Sequence, residues 1–163
     1  MTLAEAFDYL KEWAIRYVKH RDIAVKNIAE IRSASFGFLI VNNDGTSTNC
    51  LVQPSLTAFN PAAAEIETRA MIITLSNDGN IQAVYNVWDR LAAKKDLLMV
   101  FVNPFSATEE KWVLKPYLHN KVCDRSSLLQ GLRAMAELVE PANEETMVLK
   151  IKAAVKSELG NVK

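Results

Sequence analysis

The stretch that decides the fold runs from residue 69 to residue 102 and reads RAMIITLSNDGNIQAVYNVWDRLAAKKDLLMVFV. Its two ends, Arg69–Leu75 and Leu97–Val102, are short apolar runs, which are typical of strands buried on both faces. Between them, residues 80–93 carry apolar side chains at helical spacing, and two lysines follow, which suits the negative end of a helix dipole. A strand, a helix and a strand in this order predict a right-handed crossover between parallel neighbours.

The rest of the chain adds further elements to this β-α-β unit. The spacing of apolar residues predicts a helix over 2–19, a hairpin over about 36–53 with its turn at Asn42–Gly45, and helices over about 125–139 and 144–159. Residues 22–32 fit a helix or a strand, 55–66 a loop or a short helix, and 108–122 an edge strand or an irregular arm. The predicted fold class is α/β, with a mixed sheet of about four or five strands flanked by helices and a helical C-terminus.

Composition limits the class of protein. The chain has 163 residues, half of them hydrophobic, which suits one domain spanning residues 1–163. Lys plus Arg and Asp plus Glu number 19 each, so no net charge attracts a polyanion, although a local basic patch is compatible with this balance. Two cysteines, no signal-peptide pattern and no apolar run long enough to cross a bilayer predict a cytoplasmic protein without a membrane contact.

The first candidate site lies in the loops that follow the two apolar strands. Ligands of open parallel sheets bind beyond the carboxyl ends of the strands, and the start of the following helix offers free N–H groups to an anion. The alternative is that these residues only cap the helix and allow the turn. The candidate ligand-binding residues are Ser76, Asn77, Asp78, Gly79, Asn80, Asn103 and Ser106.

Two further clusters carry polar or basic side chains. A second candidate loop contains Lys115, Tyr117, His119, Asn120, Lys121, Asp124 and Arg125. In this loop His119 and Asp124 form an oriented acid/base pair or, alternatively, Asp124 only caps the next helix, Tyr117 packs its ring and the lysines are solvated. A basic cluster near the end of the first helix contains Arg16, Lys19, His20, Arg21 and Lys26. It either meets phosphates or is a solvated helix face.

The order of helix, hairpin, strand, helix and strand over about residues 3–102 resembles the core of the restriction-endonuclease-like nucleases. That family holds a divalent metal with an Asp and with an acid-x-Lys pair on the following strand. The matching stretch here, Asn49–Ser55, contains neither an acid nor a lysine, and the nearest acid is Asp44 in the turn. The resemblance implies a catalytically inactive module that contacts nucleic acid through the basic cluster.

Familiar catalytic signatures are missing from the sequence. The five glycines form no GxGxxG, GxxxxGK(S/T) or GxSxG motif, and no CxxC or HExxH pattern occurs. The leading prediction is therefore a non-catalytic binding or protein-interaction module without cofactor or metal, with an unknown protein partner or self-association. The alternatives are a small-ligand or phosphate-binding enzyme that uses the loops after the parallel strands, and the inactive nuclease-like module. Nucleic acid is an unlikely partner on net charge alone.

Overall fold

The computed structural model describes residues 3–57, 69–106 and 111–160. Within these ranges one sheet contains the strands β1 (Ile28–Ala34), β2 (Gly37–Asn42), β3 (Ser47–Val52), β4 (Ala70–Leu75), β5 (Leu97–Val102) and β6 (Lys111–Leu114), in sequence order across the sheet. The helices are α1 (Leu3–Val25), α2 (Asp78–Asn86), α3 (Trp88–Ala92), α4 (Pro116–Val122), α5 (Leu128–Ala136) and α6 (Glu144–Gly160).

The central strands confirm the predicted mixed α/β fold. β4 pairs in parallel with β5, with Leu75 beside Val102, and β3 also pairs in parallel with β4. The outer pairs, β1 with β2, β2 with β3 and β5 with β6, are antiparallel. All six residues of β4 are buried, because helices cover both faces of the sheet at this strand.

The predicted hairpin is formed by β2 and β3. Gly45 in its turn has φ +86°, and Asp44 accepts a hydrogen bond from the Thr46 backbone N–H at 2.9 Å. At the other end of the hairpin, Gly37 has φ +146°, and a Cβ on this residue would overlap the carbonyl oxygen of Cys50. Only glycine meets both demands without strain.

The predicted count of four or five strands is too low, because the sheet has an edge strand on each side, β1 and β6. The ambiguous stretch 22–32 is both helix and strand: α1 continues to Val25, beyond its predicted end at residue 19, and β1 starts at Ile28. Lys26 with φ +52° makes the break, and the Asp22 carboxylate accepts from the Asn27 backbone N–H at 2.8 Å. At the other edge β6 alternates exposed and buried side chains, which fits a strand that covers one face only.

Two predicted helices are divided. The helix expected over 80–93 starts at Asp78 and is broken at Val87, whose φ of −118° leaves the helical region. The break turns Trp88 fully into the core. The helix expected over 125–139 begins as a 3-10 turn and continues as α5, which ends at Ala136; a turn then buries Val139.

Two apolar cores lie on opposite faces of the sheet. One joins α2, α3 and α5 to the sheet and includes the stacked pair Phe101 and Trp112, whose ring centroids are 4.0 Å apart. The other packs α1 and the start of α6 on the sheet around Leu10, Trp13 and Phe38. Cys50 is buried in this second core, and its desolvation raises the pKa of its thiol to about 12. None of the described helices has the length and the apolar run that a membrane crossing needs.

The last helix is only partly packed. Met147 is buried in the second core, whereas every residue from 152 to 160 is exposed, including Val155 and Leu159. The predicted connection over 55–66 lies outside the described residues from residue 58 onward. Self-association and the single-domain organisation stay predictions.

Candidate functional site

The two loops of the first candidate site lie side by side. Because β4 and β5 are parallel neighbours, residues 76–80 and 103–106 leave the sheet at the same edge. The Ser76 backbone N–H donates to the Val102 carbonyl at 2.9 Å, which continues the sheet pairing by one residue. The structure therefore places these predicted residues together.

Most of the polar groups in these loops hold another part of the chain. The Asn77 side chain donates to the Ala142 carbonyl at 2.8 Å, and the Asn103 side chain donates to the Glu140 carbonyl at 2.9 Å. The Ala142 backbone N–H donates to the Ser76 carbonyl at 2.9 Å. The segment between α5 and α6 is thus tied across the carboxyl ends of β4 and β5, where a ligand of a parallel sheet would bind.

Ser76 and Asn80 lie deeper, each with about 1% of its surface exposed. The Ser76 hydroxyl accepts from Trp112 Nε1 at 3.0 Å. Asn80 accepts from the Leu56 backbone N–H at 2.8 Å and donates to the carbonyl oxygens of Pro54 and Leu75 at 2.9 and 2.7 Å. Both side chains join neighbouring parts of the fold.

The remaining residues of this site have local partners. Asp78 forms an exposed ion pair with Arg133, with Nε 2.8 Å from Oδ1. The Asn77 side chain caps α2 by accepting from the Asn80 backbone N–H, and Gly79 directly follows Asp78. The Ser106 hydroxyl donates to the Asn103 carbonyl at 3.1 Å.

An open groove of about 950 Å³ lies beside these loops, between residues 54–57, the start of α2 and the first turns of α6. Its lining includes Glu144, Glu145 and Lys152. Partial burial raises the pKa of Glu144. With two carboxylates and one ammonium group, the lining has a net negative charge, which disfavours the anion that the N–H groups at the start of α2 would otherwise attract.

The second candidate is not a single loop. Pro116, at the first helical position, starts α4, so Tyr117 and His119 lie on a helix instead. His119 meets the Trp88 ring edge-on at 5.8 Å, and Asp124 accepts from the Ser126 backbone N–H at 3.3 Å. The predicted pairing of His119 with Asp124 is therefore replaced by separate partners. Arg125 pairs with Asp89 at 2.6 Å, and Lys115 directly precedes α4.

Tyr117 has two cationic partners, Lys121 of the predicted loop and Lys95, which the sequence analysis did not connect with it. Lys121 Nζ lies 4.4 Å and Lys95 Nζ 5.9 Å from the centroid of its ring. A hydrogen bond from Lys121 and the charges of both lysines lower the pKa of the Tyr117 hydroxyl. We call these three residues the Tyr117 cluster. The spacing of Tyr117 and Lys121, one helical turn apart, was a usable signal, whereas only the fold brings Lys95 to them.

The basic cluster on α1 forms a pocket with the edge strand β6. This basic pocket has a volume of about 420 Å³ and is lined by Trp13, Arg16, Tyr17, His20, Arg21 and Lys111. The α1 residues share one helical face, and Lys111 comes from the first position of β6. Lys19 and Lys26, the other two members of the predicted cluster, do not line it.

Two of the residues that line the basic pocket, Trp13 and Tyr17, have stacked aromatic rings. The rings of Trp13 and Tyr17 are 5.2 Å apart and nearly parallel. Arg21 lies 5.5 Å and Lys111 Nζ 5.0 Å from the centroid of the Tyr17 ring. Cation–π attraction therefore holds both charges at the pocket.

The cations of this pocket lack acidic partners among the described residues. The ion pairs among the described residues join Arg32 to Glu30, Arg125 to Asp89 and Arg133 to Asp78. None of them uses Arg16, Arg21 or Lys111. Several cations that converge on one pocket without a carboxylate repel each other, and an anion in the pocket would relieve that repulsion.

No three His, Cys, Asp or Glu side chains within residues 3–57, 69–106 and 111–160 are grouped closely enough to hold a metal ion. Comparisons with protein families, with curated proteins and with solved structures found no match to this chain.

Proposed function

We propose that this protein is a binding module that takes a phosphate-bearing ligand in the basic pocket. The observation that carries the proposal is the convergence of Arg16, Arg21 and Lys111, from a helix and an edge strand, on one pocket without a described carboxylate partner. Guanidinium and ammonium groups are the usual protein donors to phosphate oxygens. The equal numbers of acidic and basic residues do not oppose this, because the binding energy depends on local charge.

The three tryptophans provide one reporter for each candidate region. Trp13 lines the basic pocket. Trp112 Nε1 donates a hydrogen bond to Ser76 at the carboxyl edge of the sheet, and Trp88 Nε1 donates one to Asn120 of α4. Pyrophosphate titrated into the labelled protein should shift the indole N–H resonance of Trp13 and leave the other two in place. A saturable shift of the Trp112 resonance alone would contradict the proposal and favour the loops at the carboxyl edge.

Charge removal tests the same pocket. The triple variant Arg16→Gln/Arg21→Gln/Lys111→Gln removes three charge-assisted contacts, each worth about 1–2 kcal/mol, and should weaken pyrophosphate binding at least about 100-fold. The matched control Lys19→Gln/Arg90→Gln/Lys94→Gln removes the same charge from residues outside the pocket and should bind within about threefold of the parent. Equal losses in both variants would mean that only net charge matters, and the proposal would be wrong.

A further inference from the structure

The edge strand β6 joins the basic pocket to the Tyr117 cluster. Lys111 at its start lines the basic pocket, and Lys115, directly after its end, precedes α4, which carries Tyr117 and Lys121. The basic pocket lies on the α1 face of the sheet, whereas α4 contacts Trp88 of the opposite core. The two cation–aromatic groups therefore lie at the two ends of the edge strand β6, and a ligand that reaches both passes around this edge of the sheet. We call the cations Arg16, Arg21, Lys111, Lys115, Lys121 and Lys95 the basic track.

The alternation of side chains along β6 determines on which face of the sheet the middle of the basic track lies. Trp112 stacks on Phe101 in the core with α2, α3 and α5, whereas Lys111 contacts Tyr17 of α1 on the opposite face. Since side chains alternate along a strand and the backbone at Lys115 is still extended, Val113 and Lys115 follow Lys111 to the α1 face. At about 3.3 Å per residue, Lys111 and Lys115 are about 13 Å apart. Both lysines and Val113 are exposed.

The aromatic rings of Tyr17 and Tyr117 each lie beside two cations of the basic track. Arg21 and Lys111 approach the Tyr17 ring, and Lys95 and Lys121 approach the Tyr117 ring. A nucleobase that stacks on either ring would compete with these cations for the ring face. The track is therefore built to recognise charge, and its length exceeds what one phosphate group can contact.

We infer that the basic track binds a linear chain of phosphates, which runs from the basic pocket along β6 to the Tyr117 cluster. This inference rests on the proposed function, because the basic pocket holds one end of the chain. None of the six cations belongs to an ion pair among the described residues. A phosphate chain can come from a single-stranded nucleic acid or from inorganic polyphosphate, and the shared chemistry is a repeated phosphate anion without base recognition.

The test measures how affinity depends on chain length. Fluorescein-labelled oligo-dT of 4, 8 and 16 nucleotides is titrated with the protein by fluorescence anisotropy at several salt concentrations, and unlabelled linear polyphosphate is the competitor. We expect the 8-mer to bind at least tenfold more tightly than the 4-mer, and the logarithm of the affinity to fall with the logarithm of salt with a slope of about −3 to −4. Competition by polyphosphate at equal phosphate concentration would identify charge as the recognised feature. Competition by unlabelled oligo-dT but not by polyphosphate would identify the sugar-phosphate backbone.

Variants separate this inference from the proposed function. Lys115→Gln/Lys121→Gln should weaken the 8-mer at least tenfold and reduce the salt slope by about 1.4, and leave the Trp13 shift by pyrophosphate unchanged. The control Lys19→Gln/Arg90→Gln should retain the affinity of the parent within about threefold. If pyrophosphate shifts Trp13 but no oligonucleotide or polyphosphate binds more tightly than pyrophosphate, the track is wrong and the pocket remains. If the 8-mer binds and pyrophosphate leaves Trp13 unshifted, the proposed function is wrong.

Discussion

Replacing Asn80 with Ala tests whether the polar residues at the carboxyl edge are structural. The Asn80 amide lies in the first turn of α2 and reaches the Pro54 carbonyl, the Leu56 N–H and the Leu75 carbonyl. It therefore connects the exit of β3, the end of β4 and the start of α2. No described buried side-chain polar atom lacks a hydrogen-bond partner, so this residue is part of a satisfied network.

The expected loss follows from the bonds. An amide offers two donor hydrogens and an acceptor oxygen, so the side chain makes about three good hydrogen bonds at a time. At about 1 kcal/mol net for each hydrogen bond, the variant loses about 3 kcal/mol of unfolding free energy. The Leu56 N–H, left without a partner, costs as much as about 1 kcal/mol more. The total of about 3–4 kcal/mol is a large part of the 5–15 kcal/mol by which domains are usually stable.

Urea denaturation followed by circular dichroism measures this loss. The urea concentration at the unfolding midpoint should fall strongly for Asn80→Ala, with little change in the slope of the unfolding free energy against urea concentration. The control Asn86→Ala on the same helix removes one exposed hydrogen bond to Gln82 and should change stability by no more than about 0.5 kcal/mol. A loss below about 1 kcal/mol for Asn80→Ala would refute the structural role and make Asn80 available for a ligand.

Three further predictions concern the hairpin, the buried thiol and the groove. Gly37→Ala should lower the free energy of unfolding measured by urea denaturation by about 2 kcal/mol or more, because the new Cβ would overlap the Cys50 carbonyl oxygen and the φ of +146° is strained for alanine. The control Gly131→Ala, on an open helix face, should be neutral or slightly stabilising. Equal denaturation midpoints of the two variants would exclude the predicted clash. Cys50 should resist a thiol reagent in the folded protein while the half-buried Cys123 reacts, and equal reaction rates of the two thiols in the folded state would contradict this. Burial raises the pKa of the Cys50 thiol from 9.0 to about 12. The stability that the neutral thiol provides is therefore fully present below about pH 9 and is lost as the pH rises towards 12. Pyrophosphate should leave the amide resonances of residues 78–81 unchanged, because Glu144 and Glu145 line the adjacent groove, and a saturable shift there would support the enzyme alternative.

The local pattern was sufficient where each strand or helix is apolar enough by itself. The β-α-β unit over 69–102 and the hairpin were predicted because β5 is a continuous apolar run, β4 is interrupted only by Thr74, and the turn at Asn42–Gly45 has few alternatives. The sequence did not identify the two edge strands unambiguously, because β1 and β6 are partly exposed. Their strand conformation depends on pairing with neighbouring strands more than on their own residues. Likewise, the break at Val87 depends on the fit of Trp88 to the core.

The candidate sites show the same division. The loops at 76–80 and 103–106 were correctly placed together, since parallel neighbouring strands end at one edge, but their occupation by the segment 140–142 involves residues far apart in the chain. The basic residues of α1 were visible in the sequence as a cluster, yet Lys111 reaches them only through the pairing of β6 with β5.

The sequence by itself determined the α/β class, the parallel pairing of β4 with β5 and the first helix as far as residue 19, which carries Arg16. These features depend on neighbours within one or two turns or along one strand, where side-chain spacing fixes the geometry. The tertiary structure decided which polar groups are hydrogen-bonded inside the fold, and which of the described cations lie beside one another without an ion-pair partner in that part of the chain. That outcome depends on contacts between distant segments, and a net charge of zero contains no information about where the charges lie.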